Sequence, residues 1–298
     1  MKKMKEEEIT KLKKAGEITV KAKEYAKSII SKHTHLLEIA EKIENKIIEL
    51  GGKPAFPVNL SINEIAAHST PSFNDTEKAH GLLKVDIGVV IDGLTADTAL
   101  SIDLENNKEN EELIKSAQSA LKSALSLISL NTELKEIGSI ISKEIEKSGF
   151  IAIRNLSGHS IEQFDLHAGI TIPNYDNSQT TKLTEGIYAI EPFATNGSGL
   201  VRDGRPSGIY KIEKEGNVRD NFAREVLYFI AEEYQTLPFC SRWIYKKFGS
   251  RGLLALRQIE SAGLLHQYPQ LIESGKGKVA QAEHTIILTK KDKIVVTE

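Results

Sequence analysis

Residues 82–102 constrain the fold of this chain more than any other segment, because two alternating apolar runs there flank an Asp-Gly pair. The segment reads LLKVDIGVVIDGLTADTALSI, and Asp92-Gly93 separates the two runs. An Asp-Gly pair between alternating runs is the strongest short-range signal for a β-hairpin with a two-residue turn. The sequence therefore predicts a long antiparallel hairpin in which position 91 faces 94 and position 88 faces 97.

Two aspartates lie on the same face of this predicted hairpin. Side chains alternate along a strand, so Asp97 lies diagonally across from Asp86, about 7–8 Å away. Val85, Ile87 and Val89 point to the opposite face, into a core. Two carboxylates in an apolar hairpin are costly unless a partner neutralises them, and a divalent cation does so directly. The pair therefore favours a metal site over the alternative of two turn or edge residues.

Apolar residues elsewhere recur in blocks of helical spacing that alternate with strand-like blocks. The blocks predicted as helices are residues 8–50, 108–148, 220–235 and 251–263. The blocks predicted as strands and turns are residues 53–105, 150–193 and 278–298. Because helices and antiparallel strands stay in separate blocks, the pattern favours an α+β fold over a doubly wound parallel sheet. A helix pair precedes a strand region twice, which predicts two equivalent halves.

The two predicted N-terminal helices carry many lysines, and Thr34 is the predicted N-cap of the second helix. Two interpretations of the lysines stay open from the sequence. They form either a solvated outer face, which the pattern favours, or a contact with the ribosome or another nucleic acid.

Composition excludes several classes of protein. Lys plus Arg number 39 and Asp plus Glu number 41, so bulk charge gives no affinity for nucleic acids. The one cysteine, Cys240, excludes a disulfide framework and a thiolate zinc site. The charged start contains no apolar signal region, and no apolar run approaches the ~18–20 residues of a membrane span. We therefore expect a cytoplasmic protein without a membrane partner.

Further candidate ligands follow the hairpin. Glu191 ends the run GIYAIE, Glu283 enters the apolar run EHTIIL, and His159 and His167 lie in the glycine-rich segment SGHSIEQFDLHAG. Each residue alone is also explained as a surface or core residue. Four carboxylates and a histidine together would ligate a pair of divalent ions, and oxygen-rich ligation favours Mn, Fe or Co, with Zn as an alternative. Because such a pair can hold a hydroxide and polarise a carbonyl, the residues predict a dinuclear metallohydrolase.

Five separated segments of the chain resemble the type II methionine aminopeptidases, specifically the short archaeal form. They are AFPVNLSINEIAAHSTP (55–71), KVDIGVVIDGLTADTAL (84–100), SGHSIEQFDLHAGITIPN (157–174), EGIYAIEPFATNGSG (185–199) and QAEHTII (281–287). The resemblance implies the pita-bread form of the α+β fold, with pseudo-twofold halves, in one catalytic domain over residues 1–298. It also implies that residues 195–275 approximate the helical insert of the type II enzymes.

The resemblance implies a role for each candidate ligand. Asp86 and Glu191 are implied to be terminal ligands of different ions, with His159 on the ion of Glu191. Asp97 and Glu283 are implied to bridge the two ions. The implied cofactor is a pair of divalent ions per chain (Co, Mn, Fe or Zn), and the implied nucleophile is a hydroxide between them.

Two histidines and an apolar pocket complete the implied site. His167 is implied to hydrogen-bond the scissile carbonyl and stabilise the oxyanion, and His68 to contact the peptide nitrogen beyond that bond. Glu191 is implied to shuttle a proton to the departing amine. The implied wall of the methionine pocket consists of Phe56, Leu166 and Tyr268.

The implied activity is removal of the initiator methionine from nascent polypeptide N-termini when the second residue is small. The free α-amine of the substrate would lie at the metal bound by Asp86 and Asp97. We expect a monomer. Two alternatives have the same fold: a non-catalytic relative that binds RNA or protein, which would have lost ligands, and an X-Pro peptidase, which usually carries an additional N-terminal domain.

Overall fold

The computed structural model describes residues 5–298, so the first four residues of the predicted domain lie outside the described residues. The helices are α1 Glu6–Ile29, α2 Leu36–Glu49, α3 Lys108–Leu127, α4 Leu134–Lys147, α5 Asn221–Glu233 and α6 Ser241–Ser261. The strands in the first half are β1 Lys53–Pro54, β2 Asn59–Ile62, β3 Ile65–Ala67, β4 Leu82–Ile91 and β5 Leu94–Asp103. The remaining strands are β6 Ile151–Ala152, β7 Ser157–Ile161, β8 Thr171–Pro173, β9 Gly186–Ile190, β10 Phe193–Thr195, β11 Val201–Ile212, β12 Phe239–Cys240, β13 Leu265–Glu273, β14 Val279–Gln281, β15 His284–Leu288 and β16 Lys293–Val295.

The hairpin predicted from the Asp-Gly pair is confirmed. Strands β4 and β5 pair antiparallel, with Gly88 opposite Asp97 and Ile91 opposite Leu94. The two turn residues have φ of 50° at Asp92 and 82° at Gly93, which a type I′ turn requires. The register follows from this turn, and it directs both Asp86 and Asp97 to one face of the hairpin.

The strands form four antiparallel sheets, so the predicted α+β class is confirmed. The hairpin lies in a sheet of order β1-β4-β2, in which β5 also pairs with β4. A second sheet has the order β16-β15-β9-β7-β8, and two others have the orders β14-β10-β6 and β12-β11-β13-β3. Strand β9 is therefore flanked by β7 and β15, and this order brings together the predicted ligands on or beside these three strands.

Each half of the chain packs a helix pair against a sheet. Helices α1 and α2 pack on the hairpin sheet, and α3 and α4 pack on the strands that follow them. Two apolar clusters result, one centred on Ile43, Val85 and Ile87 and the other on Ile137 and Tyr188. Burial of these apolar stripes is the main force that holds helices to sheets.

The predicted N-cap at Thr34 is wrong by one residue. Helix α2 begins at Leu36, with His35 in the N-cap position. The Thr34 carbonyl instead accepts from the backbone N–H of Ala79, and its hydroxyl lies 2.8 Å from that of Ser31. Tertiary pairing with the chain around residue 79 therefore overrides the local capping preference.

Residues 195–275 are only partly helical. The predicted helix over 220–235 is α5, and the one over 251–263 is the second part of α6, which starts ten residues earlier and kinks at Gly249 (φ 62°). The long strands β11 and β13 pair with each other, and both contact α6. This arrangement joins the segment to the rest of the molecule through β3.

Within residues 5–298, no helix combines the length and the apolar character needed to cross a bilayer.

Candidate metal centre and active site

The site residues predicted from the sequence line a single cavity of about 360 Å³. The ten predicted site residues that line it are Phe56, His68, Asp86, Asp97, His159, Leu166, His167, Glu191, Tyr268 and Glu283. They come from segments separated by more than 200 positions, so only the folded chain brings them together.

The five predicted ligands lie on, or directly beside, the strands of two sheets. Asp86 and Asp97 come from the hairpin, and His159 comes from β7. Glu191 follows β9 directly, and Glu283 precedes β15 directly. Because β9 pairs with both β7 and β15, these three side chains start from neighbouring positions of one sheet.

Threonine hydroxyls connect the hairpin to β15 at the centre of the site. The hydroxyl of Thr285 accepts from the backbone N–H of Asp97 at 2.8 Å and donates to the carbonyl oxygen of Asp97 at 2.8 Å. The hydroxyl of Thr98 donates to the carbonyl oxygen of Glu283 at 2.7 Å. These bonds fix the two bridging candidates relative to each other.

The ligand atoms lie at metal-binding separations. Candidate donor atoms of Asp97, His159 and Glu283 all lie within 4.8 Å of one another. The Nε2 atom of His159 lies 3.7 Å from a Glu191 oxygen and 4.0 Å from an Asp97 oxygen. One oxygen of Asp86, one of Asp97 and both of Glu283 are buried without a hydrogen-bond partner. Such orphaned oxygens need a neutralising partner, and divalent cations fit this donor set.

The electrostatics of the five residues also suit a cation. Burial raises the pKa of Asp86 to about 7 and holds the pKa values of Asp97, Glu191 and Glu283 well above their ordinary range, with neighbouring carboxylates adding to the effect. Burial also lowers the pKa of His159 to about 3, so its imidazole is neutral at pH 7 with a free lone pair. Burial and mutual repulsion therefore disfavour the ionised carboxylates, and a bound cation would stabilise that ionised form.

These pKa shifts predict how the stabilisation by metal depends on pH. Without metal, the folded-state pKa of each carboxylate is raised, so its stabilising contribution is complete below the unfolded value of about 4 and is lost as pH rises through the folded value. We expect the gain in melting temperature on adding Mn²⁺ to grow between about pH 6.5 and about pH 8.5. Calorimetric melting of metal-free and loaded protein at both pH values measures this gain, and a constant gain would contradict the prediction.

The predicted pocket wall is apolar and tightly packed. Phe56 and Leu166 belong to a buried cluster with Val90 and Leu237. Gly88 allows this packing, because a Cβ there would lie 2.2 Å from a Phe56 ring carbon. The strand that carries Asp86 therefore passes directly against the aromatic ring.

The two histidines beside the ligands are both held neutral. Burial lowers the pKa of His68 to about 4, and repulsion between two protonated imidazoles, His68 and His167, is the next cause. His68 has a φ of 56°, its Nδ1 lies 3.3 Å from the carbonyl oxygen of Pro269, and its ring packs edge-on to Tyr268 at 5.1 Å. A positive φ at a residue other than glycine is strained, and such strain clusters at functional sites.

His167 lies at the open side of the cavity. Its side chain is exposed, yet the surrounding protein lowers its pKa by desolvation, and the charge of Lys211 adds to this. Its ring centroid lies 4.4 Å from that of His159 at an angle of 69°. A neutral imidazole beside the metal ligands can donate a hydrogen bond to a bound carbonyl oxygen.

Sequence reasoning missed residues that support the ligands. The Gln281 side chain donates a hydrogen bond to Glu191 at 3.3 Å. The Asn174 side chain, fully buried, donates to the carbonyl oxygen of Glu191. The alternation of side chains along a strand gives one signal for Gln281, since Gln281 and Glu283 share a face in the extended run QAEHTII.

The chain matches known proteins over nearly its whole length. The model of metallopeptidase family M24 matches residues 10–290. The methionine aminopeptidase of Pyrococcus abyssi is 49% identical over 296 residues, which cover 98% of this chain and 100% of the relative.

Solved structures show the same fold at low sequence identity. A thermophilic Arx1 superposes with a TM-score of 0.82 at 14% identity, covering 99% of this chain and 91% of that one. A methionine aminopeptidase from Thermotoga maritima superposes with a TM-score of 0.73 at 21% identity, covering 100% and 99%. These two likenesses concern the fold alone.

Proposed function

Because this chain belongs to metallopeptidase family M24 and resembles the archaeal type II methionine aminopeptidases within it, we propose that it removes the N-terminal methionine of nascent polypeptides. The predicted enzyme class and the pita-bread fold are confirmed. The observation that carries the proposal is the convergence of four carboxylates and a neutral imidazole on one side-chain-sized, apolar-walled cavity.

The proposed cofactor is a pair of divalent ions per chain. Asp97 and Glu283 are the proposed bridging ligands, and their position within 4.8 Å of His159 supports this. Asp86 is the proposed terminal ligand of one ion, and Glu191 with His159 would hold the other. The donor set fits Co, Mn, Fe or Zn. When bound, such ions lower the pKa of a water molecule and polarise a carbonyl oxygen.

Glu191 is the proposed proton carrier. Gln281 holds one of its oxygens, which leaves the other directed toward His159. Burial and the charges of Asp86 and Asp97 raise its pKa, so Glu191 accepts a proton readily and can pass it to the departing amine.

The two neutral histidines are proposed to bind the peptide bond. His167 would donate to the scissile carbonyl oxygen, where negative charge develops. His68 would contact the peptide nitrogen on the far side of that bond. Phe56, Leu166 and Tyr268 would hold the methionine side chain through apolar contact.

A comparison of two peptides tests the proposed function. With added Mn²⁺ or Co²⁺, we expect release of methionine from Met-Ala-Ser and no release of alanine from Ala-Pro-Phe. The Asp97→Ala variant, purified in the same way, serves as the control for contaminating peptidases. Cleavage of Ala-Pro-Phe alone would identify an X-Pro peptidase, and cleavage of neither peptide would favour a non-catalytic binding protein.

Ribosome contact, the monomeric state and a cytoplasmic location stay predictions. Lysines of α1 and α2 form ion pairs with acidic side chains, which supports the interpretation of a solvated face. The pairs are Lys11 with Glu7 and Asp92, Lys27 with Glu24, Lys42 with Glu38, and Lys46 with Glu49.

A further inference from the structure

A buried amide oxygen beside the predicted metal ligands has no hydrogen-bond partner. Asn59 on β2 lines the cavity and is only 6% exposed. Its Nδ2 atom donates to the carbonyl oxygen of Pro57 at 2.9 Å, which fixes the orientation of the amide. Its Oδ1 atom is buried and accepts from no donor. A buried acceptor without a partner is unfavourable, so this oxygen indicates a group that the site receives from outside.

The position of Asn59 limits what that group is. Strand β2 pairs antiparallel with β4, and Asn59 lies directly opposite Asp86. Opposite residues of an antiparallel pair point to the same face, with Cβ atoms about 4.5–5.5 Å apart. The neighbouring ligands Asp86 and Asp97 are acceptors once they are ionised, so neither donates to Asn59 in a metal-loaded site.

The geometry points to the α-amine of the substrate methionine as the donor to Asn59 Oδ1, an inference that rests on the proposed function. A free N-terminus carries two or three N–H groups, so one can reach Asn59 while the nitrogen faces the ligand cluster. The amide oxygen is neutral, and it therefore recognises the amine without adding charge to four carboxylates. An acylated N-terminus has a single N–H and additional bulk, so Asn59 also helps to select unblocked chains.

Substitution of Asn59 tests this contact in the metal-loaded enzyme. The ligands are L-methionine and its des-amino analogue 4-(methylthio)butanoate, and calorimetry measures the affinity of each. The Asn59→Leu variant removes the oxygen and keeps a side chain of similar size. We expect it to weaken methionine binding about tenfold and to leave the affinity for the analogue unchanged. For Met-Ala-Ser, Asn59→Leu should raise KM more than it lowers kcat.

A matched control lies on the same strand. Ser61 is also buried with an unpartnered hydroxyl, but it does not line the cavity, so Ser61→Ala should bind methionine as the wild type does. Elemental analysis should find the same metal content in all variants.

Three results would overturn the role of Asn59. These are unchanged methionine affinity in Asn59→Leu, equal weakening of both ligands, and loss of metal from that variant. Failure of the wild type to cleave Met-Ala-Ser would instead contradict the proposed function.

Discussion

Replacing Asp97 by alanine is expected to remove bound metal and peptidase activity together. Asp97 is 4% exposed, and its donor atom lies within 4.8 Å of those of His159 and Glu283. Its loss therefore affects every neighbour in the cluster. Since even the outer partners of metal ligands contribute about 10–100-fold, we expect the loss in kcat/KM to exceed ~100-fold.

Elemental analysis after dialysis measures the metal, and turnover of Met-Ala-Ser measures the activity. The fold should persist, because Thr285 contacts only the backbone of Asp97. Asp92→Asn is the matched control on the same hairpin, because asparagine tolerates the positive φ of this exposed turn position and the change removes one charge from a surface ion pair with Lys11. Full metal occupancy in Asp97→Ala would show that this residue is not a ligand.

The second large effect is expected for His167→Ala. If His167 donates to the developing oxyanion, its loss should lower kcat by about 10²–10³-fold, equivalent to about 2.7–4 kcal/mol of transition-state stabilisation. Metal content should be unchanged, because His167 contacts His159 only through ring packing.

Steady-state kinetics on Met-Ala-Ser, with metal analysis of the same samples, test this role. His167→Gln retains an N–H donor, so it should recover part of the lost rate. His80→Ala is the control, because His80 is exposed and its ring bonds only the nearby carbonyl oxygen of Lys78. Unchanged turnover in His167→Ala would refute the oxyanion contact.

Local chemistry made the hairpin predictable in detail. The Asp-Gly turn sets the pairing of positions 88 and 97, and alternation then places Asp86 and Asp97 on one face. The helix pairs were equally predictable from the sequence, because their apolar residues recur at helical spacing. In both cases the determining interactions lie within about twenty residues of sequence.

Long-range contacts account for what the sequence did not reveal. The Thr34 prediction was wrong because pairing with the chain near Ala79 shifts the start of α2. The first part of α6 was missed because Gly249 interrupts the helical pattern. The threonine bonds of Thr98 and Thr285 join positions about 185 residues apart, and no local pattern reports such a contact.

The convergence of the five proposed ligands could be predicted from the sequence only in part. Burial arguments indicated that the carboxylates needed cations, but spacing alone did not show that Glu191 and Glu283 meet. Their meeting depends on β9 lying between β7 and β15, which is a property of the sheet topology. The resemblance to a known family supplied that information in advance.

The threonine connection has a consequence for how the enzyme matures. Glu283 and Thr285 follow Asp97 and Thr98 by more than 180 positions, so they emerge from the ribosome much later. A copy truncated after residue 280 retains four of the five proposed ligands but loses the bonds that lock the hairpin in place. Assembly of the proposed site therefore waits until Glu283 has been synthesised, and a chain that ends before residue 283 would lack the fifth proposed ligand.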